Sequence, residues 1–318
     1  MSPLFWIVLL AILVVLVISV WSSFAHWRKT VLARLRNGAQ VVVTSRGPIE
    51  CAVLGEGPAV LISHGALGGY DQGLAVIASG LFGGDSYRFI AVSRPGYLRT
   101  PPEVGKTPEE QADAFAALLD ALQVNKAIVA GISAGGPPAL QFALRHPDRC
   151  AALLLVSAAT ERTPLPEPES ADPFVRAIMQ ADFLAWLMLG LARRFPKTVF
   201  RSILNREELR RIREPRVRTN LLGMINSTAP VSARRLGLMI DGTYLTTLAA
   251  LPLASIRVPT LALHGTNDRI ISFASSERTA AAIPGARLVP IQNGSHFACL
   301  LGLGELGTEV RKFLEKRR

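Results

Sequence analysis

The chain has 318 residues, enough for one large α/β domain with a modest insertion, and 49% of them are hydrophobic, which excludes a disordered chain. Its formal net charge is +11, and because no nucleic-acid-binding motif accompanies that excess, it reads as attraction to an anionic membrane surface rather than to nucleic acid. The three cysteines, Cys51, Cys150 and Cys299, stand far apart without metal-ligand spacing, so they are expected to be buried packing residues in a reducing compartment.

Residues 1–25 contain no charged side chain, and Leu4–Trp21 is almost unbroken apolar sequence, close to the ~20 residues that cross a bilayer as a helix. Trp6 and Trp21 stand near its ends, where interfacial anchors belong. A cleaved signal peptide calls for a basic leader and a shorter apolar core. Neither is present, although Ser23-Phe24-Ala25 would pass as a cleavage site. Residues 1–25 are therefore expected to be a transmembrane anchor, in contact with lipid through residues 4–21. Residues 26–36 follow as a basic juxtamembrane segment carrying Arg28, Lys29, Arg34 and Arg36, which places the rest of the chain in the cytoplasm. Removing residues 1–25 is expected to leave a soluble, active domain.

Beyond the anchor, residues 40–44 and 49–54 read as strands of a hairpin turned by Arg46-Gly47-Pro48. Residues 59–63 are apolar without alternation, as in a strand covered on both faces, and end in His64-Gly65-Ala66-Leu67-Gly68-Gly69. That glycine-rich stretch lacks the spacing of a dinucleotide loop, and its glycines are expected to serve close backbone approach. Tyr70, Asp71 and Gln72 are candidates for the pocket entrance, with helix capping by Asp71 the other reading. A strand over 89–93, a helix over 108–122, a strand over 126–131, a helix over 134–145 and a strand over 152–156 complete an alternation that predicts a parallel sheet with helices on both faces.

The alternation breaks from 160 to 245, where a proline-rich run, 163–168, leads into helix-like segments. These predict a helical cap (160–245) dividing the α/β core into 37–159 and 246–318. Its run Phe183–Leu189 suits either cap packing or the wall of an acyl pocket. The cations between Arg193 and Arg218 form either a solvated face or one lying on anionic lipid. A strand over 259–264, a helix near 272–283, a strand over 287–291 and an amphipathic C-terminal helix restore the α/β order.

Three loops carry chemistry. Gly131-Ile132-Ser133-Ala134-Gly135 sets a serine where a buried strand turns into a helix, which lifts its hydroxyl above the sheet edge and aims the Ala134 amide at whatever it attacks. A serine needs a base, and the base an orienting acid. Asp268 follows the strand ending at His264, and His296 follows the next one, so the chain order is Ser133, Asp268, His296. The second oxyanion donor is expected to be Ala66, with Leu67 the fallback.

These segments resemble the nucleophile elbow, acid loop and histidine loop of the α/β-hydrolase family, and the resemblance runs from about Gly38 to the C-terminus, weakest in the cap. It implies an α/β-hydrolase fold, a Ser133–His296–Asp268 triad, and an oxyanion loop shaped by His64. His264 is expected to make a structural hydrogen bond, and His26 and His146 to be interfacial and helix-end residues. A serine at the elbow disfavours the aspartate-dependent dehalogenases and epoxide hydrolases of the same fold. The expected activity is that of a serine esterase (class 3.1.1) acting on a small or lipid-like acyl substrate, without cofactor or metal. Carbon–carbon hydrolysis, perhydrolysis, acyl transfer or ligand sensing on the same site are the alternatives.

Overall fold

The computed structural model describes residues 2–82, 86–163, 181–301 and 303–316. It opens with α1 (Pro3–Asn37), a single helix of 35 residues that does not stop at residue 25. The reason lies in residues 24–35: Phe24, Val31 and Leu35 recur on one helical face and are buried, Val31 and Leu35 against Ala52, Tyr70 and Ala91. Residues 26–36 are thus an amphipathic continuation of the apolar run before them, docked on the core. The apolar N-terminal part of α1 is not buried and is long and apolar enough to cross a membrane.

Along the chain follow β1 (Gln40–Thr44), β2 (Gly47–Leu54), β3 (Ala59–Ser63), α2 (Tyr70–Ala78), β4 (Arg88–Val92), α3 (Pro108–Ala121), β5 (Ala127–Ile132), α4 (Gly136–Arg145) and β6 (Cys150–Val156). After an insertion holding α5 (Asp182–Arg194), α6 (Pro196–Phe200), α7 (Arg206–Arg211), α8 (Pro215–Asn226) and α9 (Arg235–Thr247), the alternation resumes. It ends with β7 (Thr260–Gly265), α10 (Phe273–Ala282), β8 (Arg287–Ile291), α11 (Ala298–Leu301) and α12 (Leu303–Glu315). Helix α2 follows the glycine-rich stretch, with Asp71 in its first turn. Of the proline-rich run 163–168, only Thr163 falls within the described residues.

The sheet has eight strands in the order β1-β2-β4-β3-β5-β6-β7-β8; β1, β2 and β4 pair antiparallel and the remaining pairs are parallel. Strand β5 shows why it lies at the centre. Its period of two sends Ala127 and Val129 into a cluster with Phe115, Leu118 and Phe142 of α3 and α4, while Ile128 and Ala130 join Val76 of α2 and Val310 of α12 on the other face. The register sets Ser63 beside Gly131, Ile132 beside Val156 and Gly265 beside Ile291. The loops after β3, β5, β6, β7 and β8 consequently emerge together at one edge, the carboxyl ends of the parallel strands, where open α/β sheets bind ligands.

Candidate active site

Ser133 sits at φ +49°, a left-handed conformation costing a side-chain-bearing residue roughly 1–2 kcal/mol. Its neighbours make the turn possible. A Cβ at Gly131 would lie 2.7 Å from that of Ala139, and one at Gly135 would overlap the Ser63 carbonyl, so strand β3 and helix α4 can close on the turn only around bare backbone. Pro137 and Pro138 then start α4 at positions whose N–H groups a helix does not use.

The structure brings Ser133, His296 and Asp268 together. His296 Nε2 lies 3.1 Å from Ser133 Oγ, and its Nδ1 lies 2.7 Å from Asp268 Oδ2. With the carboxylate able only to accept, Nδ1 carries the proton and the Nε2 lone pair faces the serine hydroxyl. Asp268 Oδ1 takes the N–H groups of Ile270 at 2.8 Å and Ile271 at 3.0 Å. Burial alone would push this carboxyl up, but hydrogen bonds from His264 and His296, the charge of His296 and the Ile270 N–H reverse the sign and hold it well below the usual carboxylate range.

His264 has a closer bearing on the site than the sequence suggested. Its Nε2 is 3.0 Å from Asp268 Oδ2 and 3.1 Å from the Ile271 carbonyl, both acceptors, so Nε2 holds the proton and Nδ1 accepts from Ser276 Oγ at 2.7 Å. The Oδ2 atom of Asp268 is thereby held by both histidines. Just after β6, Ser157 Oγ donates to the His296 carbonyl at 3.1 Å and steadies that loop.

The loop after β3 is pinned at nearly every residue. His64 Nε2 accepts the Arg94 N–H at 3.0 Å, which leaves Nδ1 to donate to the Gly65 carbonyl at 2.7 Å, and burial and the Arg94 charge keep this ring neutral by pushing its pKa far down. The Gly65 N–H goes to Gln72 Oε1 at 2.8 Å, and Arg234 donates to the Gly68 carbonyl. The Leu67 N–H, the fallback donor, is taken by the Tyr97 hydroxyl at 3.3 Å. The Ala66 N–H, by contrast, meets no partner among the described residues, and the Ala134 N–H lies at the start of a helical turn that leaves its first donors free. Of the three residues after this loop only Gln72 lines the pocket; Tyr70 donates to the Leu35 carbonyl at 2.8 Å and Asp71 pairs with Arg234 at 2.8 Å.

The serine opens on a cavity of about 250 Å³. Its walls include Val76, Ile132 and Val156 from the core, Met224 and Ile225 from α8, and Phe297 and Leu300. Gln72, Thr228 and Ser157 add polar atoms, and among the described residues no Lys, Arg, Asp or Glu lines it. Buried Cys299 also borders it, its thiol pushed up to about 12 chiefly by desolvation. The α8 residues were missed by sequence reading, because nothing in the run Pro215–Asn226 distinguishes a pocket wall from any amphipathic helix. Conversely, Phe183–Leu189 does not line the pocket: Phe183 and Trp186 pack instead against Phe24 of α1, at ring distances of 5.4 and 5.8 Å. Among the described residues no group of His, Cys, Asp or Glu side chains is arranged to hold a metal ion.

A family model described as alpha/beta hydrolase fold matches residues 58–303. An uncharacterized hydrolase of Bacillus subtilis, YcgS, is 26% identical over 298 residues, covering 88% of this chain and 98% of the relative. A solved alpha/beta hydrolase fold protein from Nakamurella multipartita is 31% identical with a TM-score of 0.79, over 87% of this chain and 98% of that one. A solved membrane phospholipase A shares the fold at 20% identity and a TM-score of 0.64, over 99% of this chain and 98% of its own.

Proposed function

The chain belongs to the α/β-hydrolase fold family, and from that premise we propose that it is a membrane-anchored serine hydrolase cleaving carboxylic esters of small or lipid-like acyl groups. The observation that carries the proposal is the hydrogen-bonded series Asp268–His296–Ser133, 2.7 and 3.1 Å, at the wall of an apolar cavity. His296 takes the proton of Ser133 as Oγ attacks the ester carbonyl, and the Ala134 and Ala66 N–H groups receive the oxyanion. Collapse of the tetrahedral intermediate breaks the bond to the alcohol oxygen, which leaves with the proton from His296. Water, deprotonated by His296, then attacks the acyl-enzyme; the acid departs and Ser133 regains its proton. Asp268 holds the imidazole in the productive tautomer and stabilises the imidazolium.

A cavity with no cation among its described lining residues suits an uncharged acyl chain better than an acidic substrate, whose carboxylate those residues would desolvate without a partner. In this reading residues 1–25 anchor the chain, 26–36 join anchor to core, and 160–245 cap a core made of 37–159 and 246–318. The run without charge favours insertion, and Arg28, Lys29, Arg34 and Arg36 favour a cytoplasmic catalytic domain.

Turnover of p-nitrophenyl esters of increasing chain length, with mass spectrometry of the fluorophosphonate-labelled protein, tests the activity. Turnover and labelling at Ser133 are expected. Folded protein that takes no label there, or that binds esters without releasing p-nitrophenol, would replace catalysis with ligand sensing. A C-terminal alkaline phosphatase fusion active only in the exported state would reverse the topology.

A further inference from the structure

Helix α5 runs beside the anchor in a way the activity does not require. Its contacts with α1 come from its start: Asp182 pairs with Arg28 at 2.8 Å, and Phe183 lies edge-on and Trp186 tilted against Phe24, at 5.4 and 5.8 Å. Phe183 also shares an apolar groove with Leu16, Val17, Val20 and Trp21. Leu16 lies five residues before Trp21 in the apolar run, about 7.5 Å along a helix axis, so the start of α5 is level with side chains that a spanning α1 would hold inside the hydrocarbon.

We propose that α5 is a second membrane-contacting element, its exposed face of Leu187, Leu191 and Phe195 resting in the headgroup layer of the bilayer that α1 crosses. The inference rests on reading α1 as a membrane span. Three observations support it besides depth. The helix is split by burial: Ala185, Leu189 and Ala192 face the domain, while Leu187 and Leu191, four residues apart, and Phe195 are 46%, 39% and 51% exposed. A soluble surface gains nothing from such a row, whereas an interface absorbs it. Charge agrees as well: Arg193, Arg194, Lys197 and Arg201 are exposed, and no Asp or Glu occurs between Phe183 and Arg206. The Arg194 guanidinium lies over the Phe195 ring at 5.0 Å, a pairing of cation and ring suited to the border between acyl chains and phosphates. Finally, the row continues directly from the aromatic cluster that closes the apolar run of α1. The occupant is therefore the same bilayer.

The test uses the full chain in vesicles of phosphatidylcholine and phosphatidylglycerol. Its three cysteines are buried, so an environment-sensitive fluorophore can be placed on one added cysteine, in Val14→Cys, Leu187→Cys, Leu191→Cys or Val43→Cys, the last on a site 81% exposed. Nitroxide-bearing lipids are expected to quench the probes at 14, 187 and 191 several-fold more than the one at 43, with shallow nitroxides more effective at 187 and 191 and deep ones at 14. Quenching at 14 but not at 187 and 191 would overturn the contact and leave the anchor standing. No quenching at 14 would instead remove the anchor reading beneath it. Quenching at 187 by a nitroxide on a second copy of the chain, rather than by lipid, would make α5 a contact between copies and overturn the proposal.

Discussion

Arg94 and Asp241 form a two-pronged ion pair, 2.6 and 2.7 Å, fully buried between the end of β4 and helix α9. Two tyrosines complete it. Tyr97 donates to Asp241 at 2.6 Å, and Tyr244 lies 2.9 Å from both Arg94 and Asp241 while donating to the Ala134 carbonyl at 2.6 Å. Core, inserted helices and elbow therefore share one polar network, in which the neighbouring Asp241 overcomes burial and raises the Arg94 pKa.

Removing one partner strands the other. Asp241→Ala is expected to cost about 3–5 kcal/mol, because the Arg94 charge stays buried without compensation, whereas Arg94→Met with Asp241→Leu recovers much of that loss. Thermal unfolding of the two variants beside the wild type checks this. A single variant as stable as the double would show that the pair contributes nothing as a pair.

Asp268→Asn keeps the packing but presents an amide to His296 Nδ1, and an amide can favour the wrong tautomer. The expected result is a kcat lower by roughly 10⁴ with circular dichroism unchanged. Near-normal turnover would move the orienting role elsewhere.

The same carboxyl leaves a signature in acid. Its folded pKa lies below the value of about 3.9 that it regains on unfolding, so near and below that value the unfolded chain binds the extra proton. The stability it contributes is complete above about pH 5 and fades as pH falls toward the folded value. Wild-type Tm should accordingly drop more steeply than that of Asp268→Asn between about pH 5 and pH 3. Parallel curves would mean that Asp268 titrates alike in both states.

Truncation at residue 25 should be less benign than the sequence suggests. It removes Phe24, only 8% exposed, and uncovers Phe183 and Trp186. A domain beginning at Ala25 or later is expected to lose about 3 kcal/mol relative to one beginning at Ser23, a Tm difference of roughly 5–10 °C. Scanning fluorimetry of the two truncations would decide; equal Tm values would mean that the cluster adds nothing to the domain.

The core was legible because its signals are local. Strands β3, β5 and β8 announce themselves by apolar runs bounded by turn residues, and Ser133, Asp268 and His296 each follow a strand directly. What the sequence left open depends on partners far along the chain. Ala66 and Leu67 could be separated only by Tyr97, which occupies one amide from 30 positions away. Asp71 and Asp241 look like any helix carboxylates until Arg234 and Arg94 are found opposite them. The inserted helices were hardest to assign, since amphipathicity tells that a face is buried but not whether a sheet, a pocket or α1 buries it.

Helix α1 is unbroken to Asn37, and one further residue, Gly38, separates it from Ala39, whose carbonyl is held by Arg99 at 2.7 Å. On the membrane-anchored reading proposed above, a span continued in this way is a mast, not a leash. The domain would then not swing or reach outward as on a flexible tether; what it would retain is lateral drift with the lipid and rotation about the helix axis. On that reading the height of Ser133 above the bilayer is a property of the fold, set by the length of helix between Trp21 and Asn37, and the reach of the proposed hydrolase is confined to a thin layer at that height.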